Sequence, residues 1–347
     1  MAATLARHLD PEKFEAHLVL LTQSSPTGHD FPETVRVYFL GTKRARYAAF
    51  RLFALAWHLR PQVLFAGMAH LAPLAVLLRA LLPGPSRVII RQNGSHSSIF
   101  GAIGPSRLSR SILAIAYNEA DAIICQTQST ADELQREVHL DRSRTLVLHN
   151  PVDILRIRQA ASFPSQNCGP YLLAVGRLVP EKGFDLLLDA FAALRQDFPT
   201  LRLLIAGTGR CRQELEFQSR LLGLKDSVEF LGNVCDPYQY FPGALAFVVS
   251  SREDELPNAL LEAAAAGLPI VATPASPGIS TLLAGQSGVW VAQETSSVAL
   301  VQTLRIALST LQPNQRFVHE WIRPFDLVAA VTAYERVFEQ IMTGDWR

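Results

Sequence analysis

Short apolar runs alternate with helical patterns along most of the chain, and this alternation constrains the fold more than any other sequence feature. In the second half, helical patterns separate six apolar runs that we predict to be strands. These runs are Tyr171–Val175, Arg202–Ala206, Val228–Leu231, Ala246–Val249, Pro269–Ala272 and Gly288–Val291. Such alternation is typical of a parallel sheet with helices on both faces.

The first half shows a similar pattern. Its predicted strands are His17–Leu21, Arg36–Leu40, Val63–Ala66, Arg87–Arg91, Ala122–Gln126 and Thr145–Leu148. Since 347 residues exceed what one core usually organises, we predict an α/β fold of two doubly wound, Rossmann-like domains facing a cleft. The polar stretch Ala160–Gly169 marks the boundary, which gives domains of residues 1–164 and 165–324. Apolar spacing from Leu327 to Met342 predicts a final helix within residues 325–347.

Composition and cysteine spacing argue against several classes of protein. A hydrophobic content of 49% with 18% charged residues indicates a folded globular protein. The four cysteines are widely spaced and form no CxxC pair, which disfavours a metal site and a disulfide framework. No signal-peptide pattern opens the sequence. The apolar run from Val63 to Leu78 is shorter than the roughly 20 residues of a membrane span, so we predict a strand that leads into a buried helix.

Charge is unevenly distributed although the net charge is only +1. Between Glu33 and Glu119 there is no acidic residue but there are eleven lysines and arginines. This stretch is either an ordinary solvated surface or a face that meets anionic lipid or a phosphate-bearing acceptor. Aromatic residues are sparse among these charges and no nucleic-acid motif is present, which disfavours nucleic-acid binding.

Two loops that follow predicted strands carry groups suited to anions. In doubly wound folds, ligands bind at the carboxyl ends of strands. Gly176 and Arg177 follow the first strand of the second half, and Lys182 stands five residues after Arg177. Arginine and lysine can bind phosphate oxygens, although such loop cations are commonly just solvated. Gly207 opens a Gly-Thr-Gly turn, where backbone amides could approach a ligand or simply form a turn.

The segment SREDELPNALLEAAAAG, Ser251–Gly267, follows another predicted strand. Pro257 suits the start of a helix, where amides near Asn258 would carry the positive end of the helix dipole. Glu262 lies about one turn further along among Leu and Ala residues. A carboxylate in such a helix either faces solvent or needs a partner.

At these residues the sequence resembles family 4 of the retaining GT-B glycosyltransferases, the glycosyl transferases group 1. The resemblance covers about Leu172 to Val291 and continues more weakly through the first half. Its strong motifs are VGRLVPEKGFDLLLDAF, LLIAGTG, VEFLGNV and SREDELPNALLEAAAAGLPIVAT, and its weaker ones are HLDPEKFEAHLVLL, DAIICQTQSTADEL and LHNPVD. The resemblance implies an acceptor-side first domain, a donor-binding second domain and a last helix that packs back on the first domain.

The resemblance also implies roles for individual residues. Arg177 and Lys182 would bind the nucleotide diphosphate and offset charge on the leaving group. Asp254 would replace the first Glu of the family's E-x7-E motif, close to the transferred sugar, and Glu262 would bind the ribose hydroxyls. Asp254, Arg177 and Lys182 are therefore the expected catalytic residues. The expected donor-binding set adds Gly176, Gly207, Glu255, Leu256, Pro257, Asn258 and Glu262.

The implied substrates are a nucleotide sugar, with UDP favoured, and a lipid-linked or polysaccharide acceptor. A hexose or N-acetylhexosamine would be transferred with retention during cell-envelope glycan synthesis. No metal or cofactor is expected, because cations and a helix terminus can balance the diphosphate. The expected location is the cytoplasm, at the inner face of the membrane, with peripheral contact through the basic first domain.

The sequence departs from the family pattern at several positions. Asp254 is one methylene shorter than the usual Glu, and Glu255 stands where the family commonly has Gly. Asn93 aligns where relatives often carry a His near the sugar, and His96 is close by. The first residues resemble the end of the family's first helix, so its opening strand and Gly-rich loop have no counterpart. We expect a sheet edge to be exposed as a result, and a chain extended upstream to be more stable.

Two other functions fit these departures less directly. The first is a catalytically inactive relative that binds the donor or serves as a scaffold. The second is a nucleotide-sugar epimerase on a similar fold, which the ordered series of family motifs disfavours. Hydrolysis of a UDP-sugar would distinguish an active transferase from an inactive relative.

Overall fold

The computed structural model describes residues 1–21, 31–42, 45–92, 94, 107–138, 140–162, 170–312 and 314–344. Asn93 and His96 therefore lie outside the described residues. The chain divides into two compact units, residues 152–326 and the remainder. The division falls earlier than the predicted boundary after residue 164, because helix Ile154–Ala160 buries Ile154 and Ile157 in the core of the second unit.

The described strands of the first unit form two parallel sheets. The strands are β1 (Ala16–Leu20), β2 (Val35–Phe39), β3 (Val63–Ala66), β4 (Arg87–Arg91), β5 (Ala122–Cys125) and β6 (Thr145–Val147). β1 pairs with β2, and the other four form a sheet in the order β3-β4-β5-β6. Each lies within one or two residues of its predicted bounds.

Helices cover the four-stranded sheet. The described α-helices before the second unit are α1 (Ala2–His8), α2 (Ala45–Leu59), α3 (Ala72–Leu81), α4 (Arg107–Glu119) and α5 (Gln128–Val138). Short 3-10 helices occur at Ala69–Leu71 and Arg142–Arg144. Successive strand residues enter opposite cores, as in β4, where Ile90 packs with α3, α4 and α5 while Ile89 packs with the last helix.

Many arginines of the acid-free stretch have partners within the first unit. Arg36 pairs with Glu15, Arg79 with Glu119, and Arg87 with Asp121. Arg91 is 4% exposed and donates to Asn150 Oδ1 over 2.6 Å. These contacts reduce the cationic surface that an anionic partner could meet.

The second unit is one six-stranded parallel sheet between two helical layers. Its strands are β7 (Tyr171–Val175), β8 (Arg202–Ala206), β9 (Val228–Gly232), β10 (Ala244–Val249), β11 (Ile270–Ala272) and β12 (Val289–Val291). Its α-helices are α6 (Ile154–Ala160), α7 (Phe184–Leu194), α8 (Arg212–Leu221), α9 (Asn258–Ala265), α10 (Pro277–Leu283) and α11 (Ser297–Thr310). Further 3-10 helices occur at Pro180–Lys182, Pro237–Tyr240 and Glu320–Phe325.

The buried pattern of β7 explains the layered arrangement. Leu172 packs on one face with α7 and α11, whereas Leu173 packs on the other face with α9. Both side chains are fully buried, as expected of a central parallel strand covered on both sides. The prediction of doubly wound, Rossmann-like α/β units is confirmed.

The last helix, α12 (Leu327–Thr343), belongs to the first unit. Its buried residues Val331, Tyr334 and Phe338 pack with Ile89 and Ile124 of the four-stranded sheet. Among the helices that the structure describes, none combines the length and apolarity needed to cross a membrane.

Candidate functional site

The strand order of the second unit creates a topological switch point. The order is β12-β11-β10-β7-β8-β9, so β8 and β9 lie on one side of β7 and β10 to β12 on the other. The loops after β7 and β10 therefore leave neighbouring strands in opposite directions, which is where open α/β sheets bind ligands. These two loops carry most of the residues that the sequence singled out.

The loop after β7 is in backbone contact with the loop after β8. Gly176 N donates to Ala206 O over 2.9 Å, and Leu178 N donates to Thr208 O over 2.9 Å. Gly207 has φ +141°, and a Cβ there would lie 1.8 Å from Gly176 O. Only glycine fits this approach, so Gly207 first of all allows the two loops to meet.

The loop after β7 also packs against the start of the loop after β10. Gly183 adopts φ +61°, and a Cβ there would lie 2.1 Å from Ser250 O. Ser250 Oγ donates to Lys182 O over 2.9 Å. The contact places the Lys182 side chain beside Asp254, and the Lys182 ammonium pairs with Asp254 Oδ2. Both side chains are less than one-fifth exposed, at 18% and 17%.

Residues that follow β11 hold the loop after β10, which carries Asp254. Thr273 is fully buried directly after β11, and its Oγ1 donates to Ser251 O over 2.6 Å. Ser276 Oγ donates to Glu255 O over 3.1 Å. Sequence reasoning gave no role to Thr273, because its only signal was a small polar residue at the end of an apolar strand.

The Glu255 side chain is unexpectedly buried. Glu255 is 5% exposed and Leu256 is also 5% exposed, and both lie directly before buried Pro257. Pro257 is the N-cap of α9, so the helix begins at Asn258. The positive end of the helix dipole therefore lies at the carboxyl edge of the sheet.

Glu262 is half-buried one turn into α9, between buried Leu261 and Ala263. Burial raises the pKa of the Glu262 carboxyl above its usual range, whereas a hydrogen bond from the Tyr238 side chain lowers it and the nearby Asp236 carboxylate raises it. Burial and the Glu262 charge in turn raise the pKa of the Tyr238 phenol. A wholly solvated Glu262, the alternative that periodicity left open, does not match this position.

Arg177 and the possibility of a metal site complete the description of the predicted residues. Arg177 is exposed and directly follows Gly176 at the end of β7. Within the described residues, no three His, Cys, Asp or Glu side chains lie close enough together to hold a metal ion. The second unit thus brings together Lys182 and Asp254, and it places the start of α9 only four residues after Asp254.

This arrangement suits a diphosphate ester that carries a polar group on each side. The Arg177 and Lys182 cations and the α9 N-terminus can balance phosphate charge. Glu262 lies four residues into α9, and at a rise of 1.5 Å per residue its Cα is roughly 6 Å along the axis from that of Asn258. A carboxylate at that distance can accept hydrogen bonds from hydroxyls next to the phosphates.

Both halves of the chain match known sequence families. Residues 1–156 match Glycosyltransferase Family 4, and residues 169–310 match Glycosyl transferases group 1. An uncharacterized glycosyltransferase of Haemophilus influenzae is 27% identical over 195 residues, which are 56% of this chain and 54% of the relative. The chain therefore spans about half the length of that relative.

A second relative covers more of the chain. It is the N-acetylgalactosamine-N,N'-diacetylbacillosaminyl-diphospho-undecaprenol 4-alpha-N-acetylgalactosaminyltransferase of Campylobacter jejuni, 24% identical over 75% of this chain and 73% of its own length. Among solved structures, HepE of Anabaena in complex with UDP and glucose has a TM-score of 0.76 at 17% identity, covering 97% of this chain and 94% of HepE. The resemblance inferred from the motifs is thus confirmed, and the chain belongs to the family 4, group 1 glycosyltransferases of the GT-B fold.

Proposed function

We propose that the chain is a retaining, metal-independent glycosyltransferase that moves a hexose or N-acetylhexosamine from a UDP-sugar to a lipid-linked or polysaccharide acceptor. The observation that carries this proposal is the Lys182 and Asp254 pair beside the start of α9 at the switch point of the second unit. HepE was solved with UDP and glucose, and the Campylobacter relative is named for a diphospho-undecaprenol acceptor, which supports both substrate classes.

In the proposed reaction, the bond between the sugar's anomeric carbon and the diphosphate breaks, and UDP keeps the electron pair. The acceptor hydroxyl forms the new bond on the same face of the sugar, and its proton passes to a phosphate oxygen of the departing UDP. Arg177 and Lys182 offset the charge that develops on the leaving diphosphate, together with the amide end of α9. Gly176 and Gly207 let backbone approach the donor, and the segment Glu255–Asn258 contacts the sugar.

The two carboxylates have different proposed roles. Glu262 accepts hydrogen bonds from the ribose hydroxyls, while Asp254 lies near the transferred sugar. Because fixed cations and amides balance the diphosphate, no divalent metal is required. Transfer in the presence of EDTA would support this point, and a loss that added Mg²⁺ restores would contradict it.

A panel of nucleotide sugars tests the proposal. We expect UDP-glucose or UDP-N-acetylglucosamine to raise the melting temperature more than GDP-mannose, since a ligand of the folded state stabilises by mass action. Slow hydrolysis of the bound donor should accompany this shift. Absence of both effects with every donor would contradict the proposal.

A catalytically inactive relative is the second candidate. It is favoured by Asp254 in place of the family's usual Glu and by buried Glu255 at a usual Gly position. UDP binding without hydrolysis or transfer of any tested donor would support this candidate.

A cytoplasmic enzyme at the inner membrane face fits a lipid-linked acceptor, with the first unit in peripheral contact with anionic lipid. This part of the proposal depends on the acid-free stretch of residues 34–118. Sedimentation with vesicles that contain phosphatidylglycerol tests it, and equal sedimentation with neutral vesicles would contradict an electrostatic contact.

A further inference from the structure

Arg252 joins the loop after β7 (residues 176–183, the Lys182 loop) to the loop after β10 (residues 250–257, the Asp254 loop). It lies within the motif SREDELPNALLEAAAAG, but neither the family resemblance nor the proposed reaction gives it a role. Its guanidinium forms a bidentate ion pair with Asp185. The distances are 2.6 Å from Nη1 to Oδ1 and 2.5 Å from Nη2 to Oδ2. Nη1 also donates to Pro180 O over 3.1 Å. Asp185 is in the first turn of α7, directly after the loop, and Pro180 is within the loop.

Backbone hydrogen bonds join the same two loops at the same place. Arg252 N and Glu253 N both donate to Glu181 O, over 2.8 Å and 3.2 Å. Within the Lys182 loop, Lys182 N donates to Val179 O over 3.0 Å. Arg252 thus contacts the residues on both sides of Lys182, through its main chain and its side chain.

The partial exposure of this ion pair indicates that its main effect is on geometry. The Arg252 and Asp185 side chains are 39% and 41% exposed. Exposed ion pairs contribute little to folding stability. A bidentate arginine–carboxylate contact nevertheless fixes the relative orientation of the two side chains as well as their distance. The Arg252 guanidinium also lowers the pKa of the Asp185 carboxyl, so the pair stays ionised at neutral pH.

We infer that Arg252 and Asp185 are positioning residues that hold the Lys182 loop in register with the Asp254 loop, so that the Lys182 ammonium lies where a donor diphosphate binds. The consequence for binding rests on the proposed function. Lys182 sits at the end of a short 3-10 helix, and displacement of that helix by about 1 Å would move its ammonium out of hydrogen-bond range.

The test compares Arg252→Ala and Asp185→Ala with a matched control. Arg305→Ala removes an ion pair of 2.7 Å to Asp197, and the two side chains are similarly exposed, at 45% and 47%. This pair joins α11 to the turn that follows α7 in the same unit. Two quantities are measured for each purified full-length variant. The first is hydrogen exchange of the amides of residues 179, 181–184 and 252–253 without ligand. The second is the Kd for UDP and for UMP by calorimetry.

We expect faster exchange at these amides in both loop variants and no change in the control. The Kd for UDP should rise about three- to tenfold, the Kd for UMP should change less than twofold, and the double variant should lose no more than either single variant. A merely structural role would weaken UDP and UMP binding equally and lower the melting temperature. Exchange rates in both loop variants that equal those of the wild type would overturn the inference. So would an unchanged ratio of the Kd for UDP to the Kd for UMP in the variants, if the wild type binds UDP more tightly than UMP.

Failure of the proposed function gives a different result. If the wild type binds neither nucleotide while exchange still responds to Arg252→Ala and Asp185→Ala, the loop positioning stands and the donor assignment is wrong. Arg252→Lys keeps the charge but not the bidentate geometry. Its exchange rates and its Kd for UDP should lie between those of the wild type and of Arg252→Ala.

Discussion

Lys182 has a partner for its backbone and another for its side chain. Its carbonyl oxygen accepts a hydrogen bond from Ser250 Oγ, and its ammonium pairs with Asp254. A donor diphosphate that binds Lys182 must therefore compete with the Asp254 carboxylate for the same ammonium. In the proposed mechanism this competition is useful, because it leaves Asp254 beside the sugar once phosphate oxygens bind Lys182.

Neutralising Asp254 should separate binding from turnover. Asp254→Asn removes the anion that competes for Lys182, so we expect UDP to bind about three- to tenfold more tightly while transfer slows at least about tenfold. Calorimetry and a transfer assay measure the two quantities. Glu253→Gln removes the same charge one residue away and is the control. Weaker UDP binding by Asp254→Asn would contradict the competition.

Glu262 should make folding stability depend on pH. Its pKa is raised in the folded protein, so its stabilising contribution is present below the ordinary glutamate pKa and is lost as pH rises through the raised value. Glu262→Gln cannot ionise and should melt higher than the wild type at pH 7.5, by about 2 °C, with a smaller difference at pH 4.5. The exposed Glu294→Gln is the control. An equal difference at both pH values would contradict this account.

Loops, more than helices or strands, form the site at the scale of structural elements. The loop after β7 meets the loop after β8 at Gly207 and the loop after β10 at Gly183. At both positions a methyl group would collide with backbone carbonyl oxygen, which cannot move independently of its strand. Close packing of three loops is thus the reason that glycine occurs at these positions.

A pair of glycine variants tests the loop contact. Gly183 and Gly223 have similar left-handed conformations, φ +61° and φ +70°, but only Gly183 has atoms within 4 Å of the added Cβ. Gly223→Ala should cost only the conformational strain of about 1 kcal/mol, whereas Gly183→Ala should cost at least about 2 kcal/mol more. Thermal unfolding of both variants measures this. Equal losses would show that the loop contact contributes nothing.

The strands were predictable because buried parallel strands are short apolar runs, and β7 and β8 match their predicted bounds. The loop contacts were not predictable. Lys182 and Asp254 are 72 positions apart, and only the strand order brings them together. The sequence gives Arg252 no role, since nothing local indicates Asp185, 67 positions away, as its partner. The burial of Glu255 was not predictable either, because glutamate side chains are mostly exposed and nothing in the sequence marks this one as buried.

The whole molecule consists of two units with distinct chemistry. The second unit carries the described site, with its cations and carboxylates at one edge of a six-stranded sheet. In the first unit, many of the basic residues are used for internal contacts, and the last helix completes one of its cores. We expect the second unit to account for donor binding, and residues of the first unit to influence acceptor use more than UDP affinity.

The most direct test of a nucleotide-sugar site in the second unit is calorimetric titration of UDP into the wild type, Lys182→Ala and Arg305→Ala, all in EDTA. We predict that the wild type and Arg305→Ala bind UDP with equal affinity without metal, and that Lys182→Ala binds at least about tenfold more weakly. Equal UDP affinity of Lys182→Ala and the wild type, or binding that requires added Mg²⁺, would contradict the central claim.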